Sequence, residues 1–273
     1  MASNLTMYMN MLHGIEEYNG GNEAFRKLDI TDSSIKKIRE FTNCNSYEFN
    51  EEAINIITFN MLMNHYSIEN DTNLLFKLDQ INGINFLKNK KVYQEVFHKY
   101  NAIFHDIKYF PVPKDITGKA DVSYENSWSK PRTYGGNRIH EGTDIMASNN
   151  EAGYFPIISV SDGVVEEKGW LEQGGYRIGI RSETGAYFYY AHLSSYNDEL
   201  EKGDAVTAGT IVGFMGNTGY SKIVGTTGKF DVHLHFGIYL DENGKEMSVN
   251  PYWVLRYLED YKLSFKGRNP RKE

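Results

Sequence analysis

Apolar positions over the first 110 or so residues recur at the period of a helix, and after about Ile139 they recur at the period of a strand. The clearest helical stripe is Val92, Val96, Tyr100, Ile103, Phe104 and Ile107, which share one face at about 3.6 residues per turn. Asn50 followed by Glu51 and Glu52 offers a cap and an acidic first turn for a second helix, ending near Asn64. Shorter candidates are 33–41, opened by the capping pair Thr31 and Asp32, and 73–87, interrupted near Gly83. These segments predict a small bundle of about four or five helices.

Between 111 and 138 the periodicity disappears. Pro111, Pro113, Gly118, Pro131, Gly135 and Gly136 punctuate a polar run, the composition of a long loop or linker. Beyond it, Asp162-Gly163, Gly174-Gly175 and Thr184-Gly185 separate short β-branched or aromatic runs at 156–160, 164–170, 176–181 and 186–192. Such pairs are hairpin signals of an antiparallel sheet. A further strand pair is expected at 211–215 and 232–240, and a short amphipathic helix at 251–261, capped by Asn250 with Pro251 in its first position. The expected fold class is α+β: a helical domain (1–110), a linker (111–137), a mostly antiparallel β domain (138–262) and a polar tail (263–273).

Composition narrows the function classes. With 273 residues, 40% hydrophobic and 14% aromatic, the chain can bury a core. A net charge of −7 argues against nucleic acid or an anionic membrane as the main partner. The single cysteine, Cys44, excludes an internal disulfide framework and a Cys-rich zinc module. No apolar run reaches the roughly 18 residues of a membrane-spanning helix. The start, Met1-Ala2-Ser3-Asn4, has neither the basic nor the apolar region of a signal peptide. The chain is therefore read either as cytosolic or as beginning downstream of a removed leader or membrane anchor.

Of the eight histidines, His13, His65, His98 and His105 fall in the helical half and read as surface or partner-satisfied side chains. The other four stand in marked contexts. Strand alternation places His233 and His235 on one face, with Val232, Leu234 and Phe236 on the other. His140-Glu141-Gly142-Thr143-Asp144 offers a neutral nitrogen and an anionic oxygen, both good zinc ligands. A zincin-like helix with Glu141 as general base does not suit the segment, because Gly135, Gly136 and Gly142 surround it. A turn or strand end is expected instead, with Glu141 facing solvent. Three protein ligands with a fourth position left for water is the pattern of catalytic zinc. His140, Asp144 and one of His233 and His235 supply three. The remaining histidine of that pair and His192 are then free to move a proton and to stabilise an oxyanion.

These residues resemble the lysostaphin-like (LytM-type) zinc endopeptidases of bacterial cell walls, from about Gly136 to Leu255. Arg138-Ile139-His140-Glu141-Gly142-Thr143-Asp144-Ile145 is similar to the family's H-x-G-x-D segment, and Asp162-Gly163-Val164-Val165 to its first hairpin. Tyr190-Ala191-His192-Leu193 resembles its Y-x-H-L. Gly209, Ile211, Gly213 and the run from Gly216 to Ser221 resemble its glycine-rich strand and turn, and His233-Leu234-His235-Phe236 its H-L-H-F. The resemblance implies one zinc ion per chain held by His140, Asp144 and His235, with His233 and His192 as the catalytic pair and His233 the better general base. It also implies an open groove, peptidoglycan stem or cross-bridge peptides as substrate, and action outside the cytoplasm. A catalytically silent scaffold or activator of another wall enzyme is the alternative, although such relatives typically lose site residues that are intact here. The intervening segment 222–232 is longer than in the family and is expected to border the groove. The helical half carries no recognised motif; it or the 111–138 segment is expected to cover the groove in part.

Overall fold

The computed structural model describes residues 4–18, 20–45, 47–70, 72, 74–133 and 136–267. Met1, Asn73, Gly135 and the polar tail from 268 onward lie outside the described residues. The architecture is α+β, with helices first and a ten-stranded antiparallel sheet after them.

The helical half contains α1 (Asn4–Glu17), α2 (Glu23–Lys27), strand β1 (Asp29–Ile30), α3 (Asp32–Phe41), α4 (Glu51–Met63), strand β2 (Ser67–Ile68), α5 (Ile84–Lys88) and α6 (Lys91–Phe104). The expected caps are present: Thr31 Oγ1 accepts from the Ser34 N–H and Asn50 Oδ1 from the Ala53 N–H. Helix α4 is buried nearly all round, from Ala53 and Ile54 to Met61 and Leu62, so it forms the axis of the bundle. Helix α1 crosses it at Gly14, where an added Cβ would lie 1.9 Å from the Leu62 carbonyl oxygen. Helices α1 and α2 lie outside the expected segments. The expected helix over 73–87 is also replaced by one 3₁₀ turn at Leu78–Gln80 and the short α5. The buried Asn60 side chain explains this: it donates to the Leu75 carbonyl and accepts from the Leu75 N–H, both at 2.8 Å, holding that stretch extended as a strand partner would.

The segment expected as a linker is ordered into short strands: β3 (Lys114–Asp115), β4 (Val122–Ser123), β5 (Pro131–Arg132) and β6 (Arg138–Ile139). Each has only two residues, too few to show a period. After them come β7 (Thr143–Ala147), β8 (Pro156–Ile158), β9 (Gly163–Leu171), β10 (Gly175–Arg181), β11 (Tyr187–Tyr196), β12 (Ala205–Val206), β13 (Ile211–Met215), β14 (His233–Glu242), β15 (Lys245–Val249), helix α7 (Tyr252–Leu258) and β16 (Ser264–Phe265). The main path of the sheet runs β12-β9-β10-β11-β14-β7-β4. Strand β16 pairs with β3, so the chain's end returns to the segment between the halves.

Two expected pairings are corrected. Strand β8 pairs with β13, so Asp162-Gly163 does not close a β8–β9 hairpin. Strands β13 and β14 are not a ladder. Both lie on β11, β14 along 187–191 and β13 along 193–196. The sheet branches at the residue between those stretches, His192.

The halves share one buried cluster, and no gap in it coincides with residue 110. Arg26 donates to the Ser248 carbonyl and hydroxyl, both at 2.9 Å, and accepts from the Asn250 N–H at 2.8 Å. Trp253 Nε1 donates to Asp29 at 3.2 Å.

Candidate active site

Alternation along β14 sends Leu234, Phe236 and Ile238 into the core and turns His233 and His235 to the opposite face. The antiparallel register with β7 sets His235 directly opposite Asp144. His140 is fixed just before β7 by backbone bonds with the segment ahead of it: its N–H donates to the Lys130 carbonyl and its carbonyl accepts from Ser129. Gly142 lets this turn pass His235, since a Cβ there would sit 2.7 Å from the imidazole. Glu141 is exposed.

Three donor atoms converge as a result. His140 Nε2, Asp144 Oδ1 and His235 Nδ1 form a triangle with every side 3.0 Å. His140 Nδ1 lies 3.0 Å from the Ser127 carbonyl, which can only accept, so Nδ1 carries the hydrogen and Nε2 presents its lone pair. The other Asp144 oxygen accepts from Arg132 Nη2 at 2.6 Å. Burial alone would raise the Asp144 carboxyl, but the imidazoles of His140 and His235 that face Oδ1 outweigh this and hold it well below the usual carboxylate range. The set suits a zinc ion. Two imidazole nitrogens and one carboxylate oxygen are its usual donors, and tetrahedral bonds of about 2.0–2.1 Å give edges of roughly 3.3 Å. The Ser127 carbonyl and Arg132 are the kind of outer partners that orient such ligands.

His192 reaches the same face by a different device. Regular alternation would send it into the core, but it adopts a left-handed backbone (φ 62°) at the bulge where β11 loses register with β10. An extra residue in one strand re-aims the side chains around it. Its ring centroid lies 4.8 Å from that of His233. His192 Nδ1 sits 2.8 Å from the Thr218 carbonyl and His233 Nδ1 2.7 Å from the Asp231 carbonyl, which leaves both Nε2 atoms as acceptors. Burial lowers both imidazoles, His192 well below the ordinary histidine value with His233 and His235 adding to the effect. Phe230, from the long segment before β14, packs on both rings with centroids 4.6 and 5.1 Å away.

The five proposed site residues thus all line one groove of about 600 Å³. The former linker contributes Arg132 to its wall, while no described residue of the helical half lines it. Of the remaining histidines, His13 and His65 meet at Glu17 on the exposed surface, at 3.8 and 2.8 Å, and His105 contacts the Phe49 carbonyl at 2.9 Å. Sequence reasoning missed Arg132, the Ser127 and Thr218 carbonyls, and Phe230. Arg132 alone carried a signal, as a cation beside a proline shortly before the first histidine.

Comparison with known proteins adds an independent line. The model of Peptidase family M23 matches residues 138–251. The L-Ala--D-Glu endopeptidase of Bacillus subtilis (strain 168) is 37% identical over 222 residues, 80% of this chain and 64% of that protein. Lysostaphin of Staphylococcus staphylolyticus is 33% identical over 148 residues, 51% of this chain and 28% of that protein. The chain therefore spans less than two thirds of the length of either relative. A crystal structure from Ruminococcus gnavus, provisionally named a glycyl-glycine endopeptidase lytM, is 39% identical with a TM-score of 0.77 and covers 94% of this chain and 99% of its own. That likeness takes in most of the helical half.

Proposed function

Since the chain belongs to peptidase family M23, we propose that it is a zinc-dependent endopeptidase that hydrolyses peptide bonds in the stem or cross-bridge peptides of peptidoglycan, outside the cytoplasm. The triangle of His140, Asp144 and His235, open on the groove beside two neutral imidazoles, is the observation that carries this reading. Those three residues would hold one zinc ion per chain, which when bound supplies Lewis acidity toward a carbonyl and acidifies water.

The chain's own residues do the rest. His233 Nε2 takes the proton of the attacking water and returns it to the leaving amine nitrogen, so the base is restored after each turnover. The Asp231 carbonyl holds the tautomer this requires and stabilises the imidazolium formed in between. His192, oriented by Thr218, faces the same space as the second proton carrier and, once protonated, as a stabiliser of the oxyanion. Phe230 and Tyr220 shield the pair from bulk water. The names of the relatives, which point to L-Ala–D-Glu and glycyl-glycine bonds, set the substrates to try.

The test is zinc content together with digestion of purified peptidoglycan, the products identified by mass spectrometry. One equivalent of zinc and new amino termini in the peptides are expected. A protein that holds zinc yet releases no peptide would refute the enzyme and favour a scaffold or activator of another wall enzyme.

A further inference from the structure

One row of the groove floor crosses four strands. Asp144 on β7 faces His235 on β14, His235 faces Ala191 on β11, and the Ala191–His192 bulge lies opposite Arg177 on β10. At about 4.8 Å between strands, the Arg177 backbone stands roughly 10 Å from that of His235. The Arg177 side chain is 12% exposed and lines the groove. Its Nη1 is buried without any hydrogen-bond partner among the described residues. Its Nη2 has only a 3.4 Å contact with Glu167, whose other oxygen already accepts from Lys202 at 2.7 Å. The other arginines of the groove are engaged, Arg132 on Asp144 and Arg138 on the Tyr220 hydroxyl. Glu141 and Glu246 line the groove as well, but no hydrogen bond or ion pair joins either to Arg177 among the described residues.

A buried donor on a permanently charged group is costly to leave open, and a guanidinium fork is matched by a planar carboxylate. We propose that Arg177 forms a carboxylate subsite for the free α-carboxylate of a γ-linked D-glutamyl residue, so that the groove prefers anionic stem peptides to uncharged glycyl bridges. This rests on the endopeptidase reading above. In such a peptide the α-carboxylate branches from the chain beside the L-alanyl amide, within about one residue length of 3.3–3.6 Å. A scissile bond at the histidine end of the row therefore brings that carboxylate within reach of an arginine side chain from the other end.

The full chain loaded with zinc is assayed on L-Ala-γ-D-Glu-L-Lys, on its α-carboxamide counterpart and on pentaglycine, comparing kcat/KM in the wild type, Arg177→Met and Arg177→Lys. The wild type is expected to favour the carboxylate over the carboxamide by roughly 10- to 100-fold. Arg177→Met should bring the two rates together, and Arg177→Lys should keep part of the preference. Equal rates in the wild type, or an undiminished preference in Arg177→Met, overturns the subsite. Should the wild type cleave none of the three peptides, digestion of purified peptidoglycan decides the endopeptidase reading by itself. Calorimetric titration of the two stem peptides into wild type and Arg177→Met then decides the subsite: tighter binding of the carboxylate that disappears in Arg177→Met supports it, and equal binding overturns it.

Discussion

Arg132→Met removes a positive charge from the wall of the proposed zinc site while keeping most of the side chain's length. In the native protein Arg132 Nη2 donates to Asp144 Oδ2 at 2.6 Å, the oxygen that does not join the three-atom triangle. The bond orients the carboxylate so that Oδ1 faces His140 and His235. A charge-assisted hydrogen bond of this kind is worth about 1.5–3 kcal/mol when shielded from water. The two side chains are 31% and 22% exposed, so solvent screening puts the expected loss near the lower end. A loss of about 1.4 kcal/mol is tenfold in an equilibrium constant, at the low end of the 10- to 100-fold typical of outer-sphere partners. Zinc affinity measured by competition with a chelator should thus weaken by about tenfold. Affinity within twofold of the wild type would refute the idea that Arg132 positions Asp144 for metal.

His140→Ala or Asp144→Ala should abolish zinc binding, and stoichiometric zinc in either variant contradicts the ligand assignment. His233→Ala should keep zinc but lose turnover by roughly 10²–10⁴-fold; near-normal rates would transfer the role of general base to His192. Away from the groove, Asp115 accepts from Tyr154, the Thr117 hydroxyl and the Thr117 N–H at 2.6–2.8 Å. Burial alone would raise its carboxyl, but these hydrogen bonds prevail and hold it well below the usual range. A depressed folded-state value contributes stability above the unfolded value near 3.9, and that stability is lost as pH falls toward the folded value. Asp115→Asn should therefore cost on the order of 1–2 kcal/mol in denaturant unfolding at pH 7, with the gap to wild type shrinking below about pH 4. A gap that stays constant down to pH 3 would show that the ionised carboxylate is not what stabilises this turn.

The residues of the candidate site differ in how much of their placement is local. His233 and His235 share a face because strand alternation dictates it, so their pairing could be read directly from the chain. His140 and Asp144 could be read as a turn with two ligand types, because the glycines around them exclude a helix. Their approach to His235 depends on a β7–β14 register between segments some 90 residues apart, which no local pattern encodes. His192 is the sharper case. It stands in a run whose alternation would bury it, and only the left-handed bulge turns it to the groove. Its motif context identified it; its period did not. The same non-locality hid the β8–β13 pairing, since Asp162-Gly163 has the chemistry of a hairpin turn but β8 finds its partner elsewhere. Helix α1 escaped notice because Leu5, Met7, Met9 and Met11 alternate at period two, and tertiary packing through Gly14 overrides that signal.

No described residue of the helices lines the groove wall, yet their contacts bear on it from behind. Arg26 of α2 grips β15 at Ser248. Lys99 of α6 donates to the Asp241 carbonyl at 3.1 Å and pairs with Glu242, at the far end of β14. Strand β14 carries two of the proposed site residues, and its β15 neighbour is the hairpin arm that the helical half clasps. Three atoms held 3.0 Å apart tolerate little strand movement, because a shift of one ligand by a fraction of an ångström already changes the edges of a tetrahedral set. Bracing both arms of that hairpin against a rigid bundle limits such movement without occupying the substrate path. The helical half thus touches the hairpin that carries His233 and His235 from behind, while Arg132 lines the groove and Phe230 packs on His192 and His233.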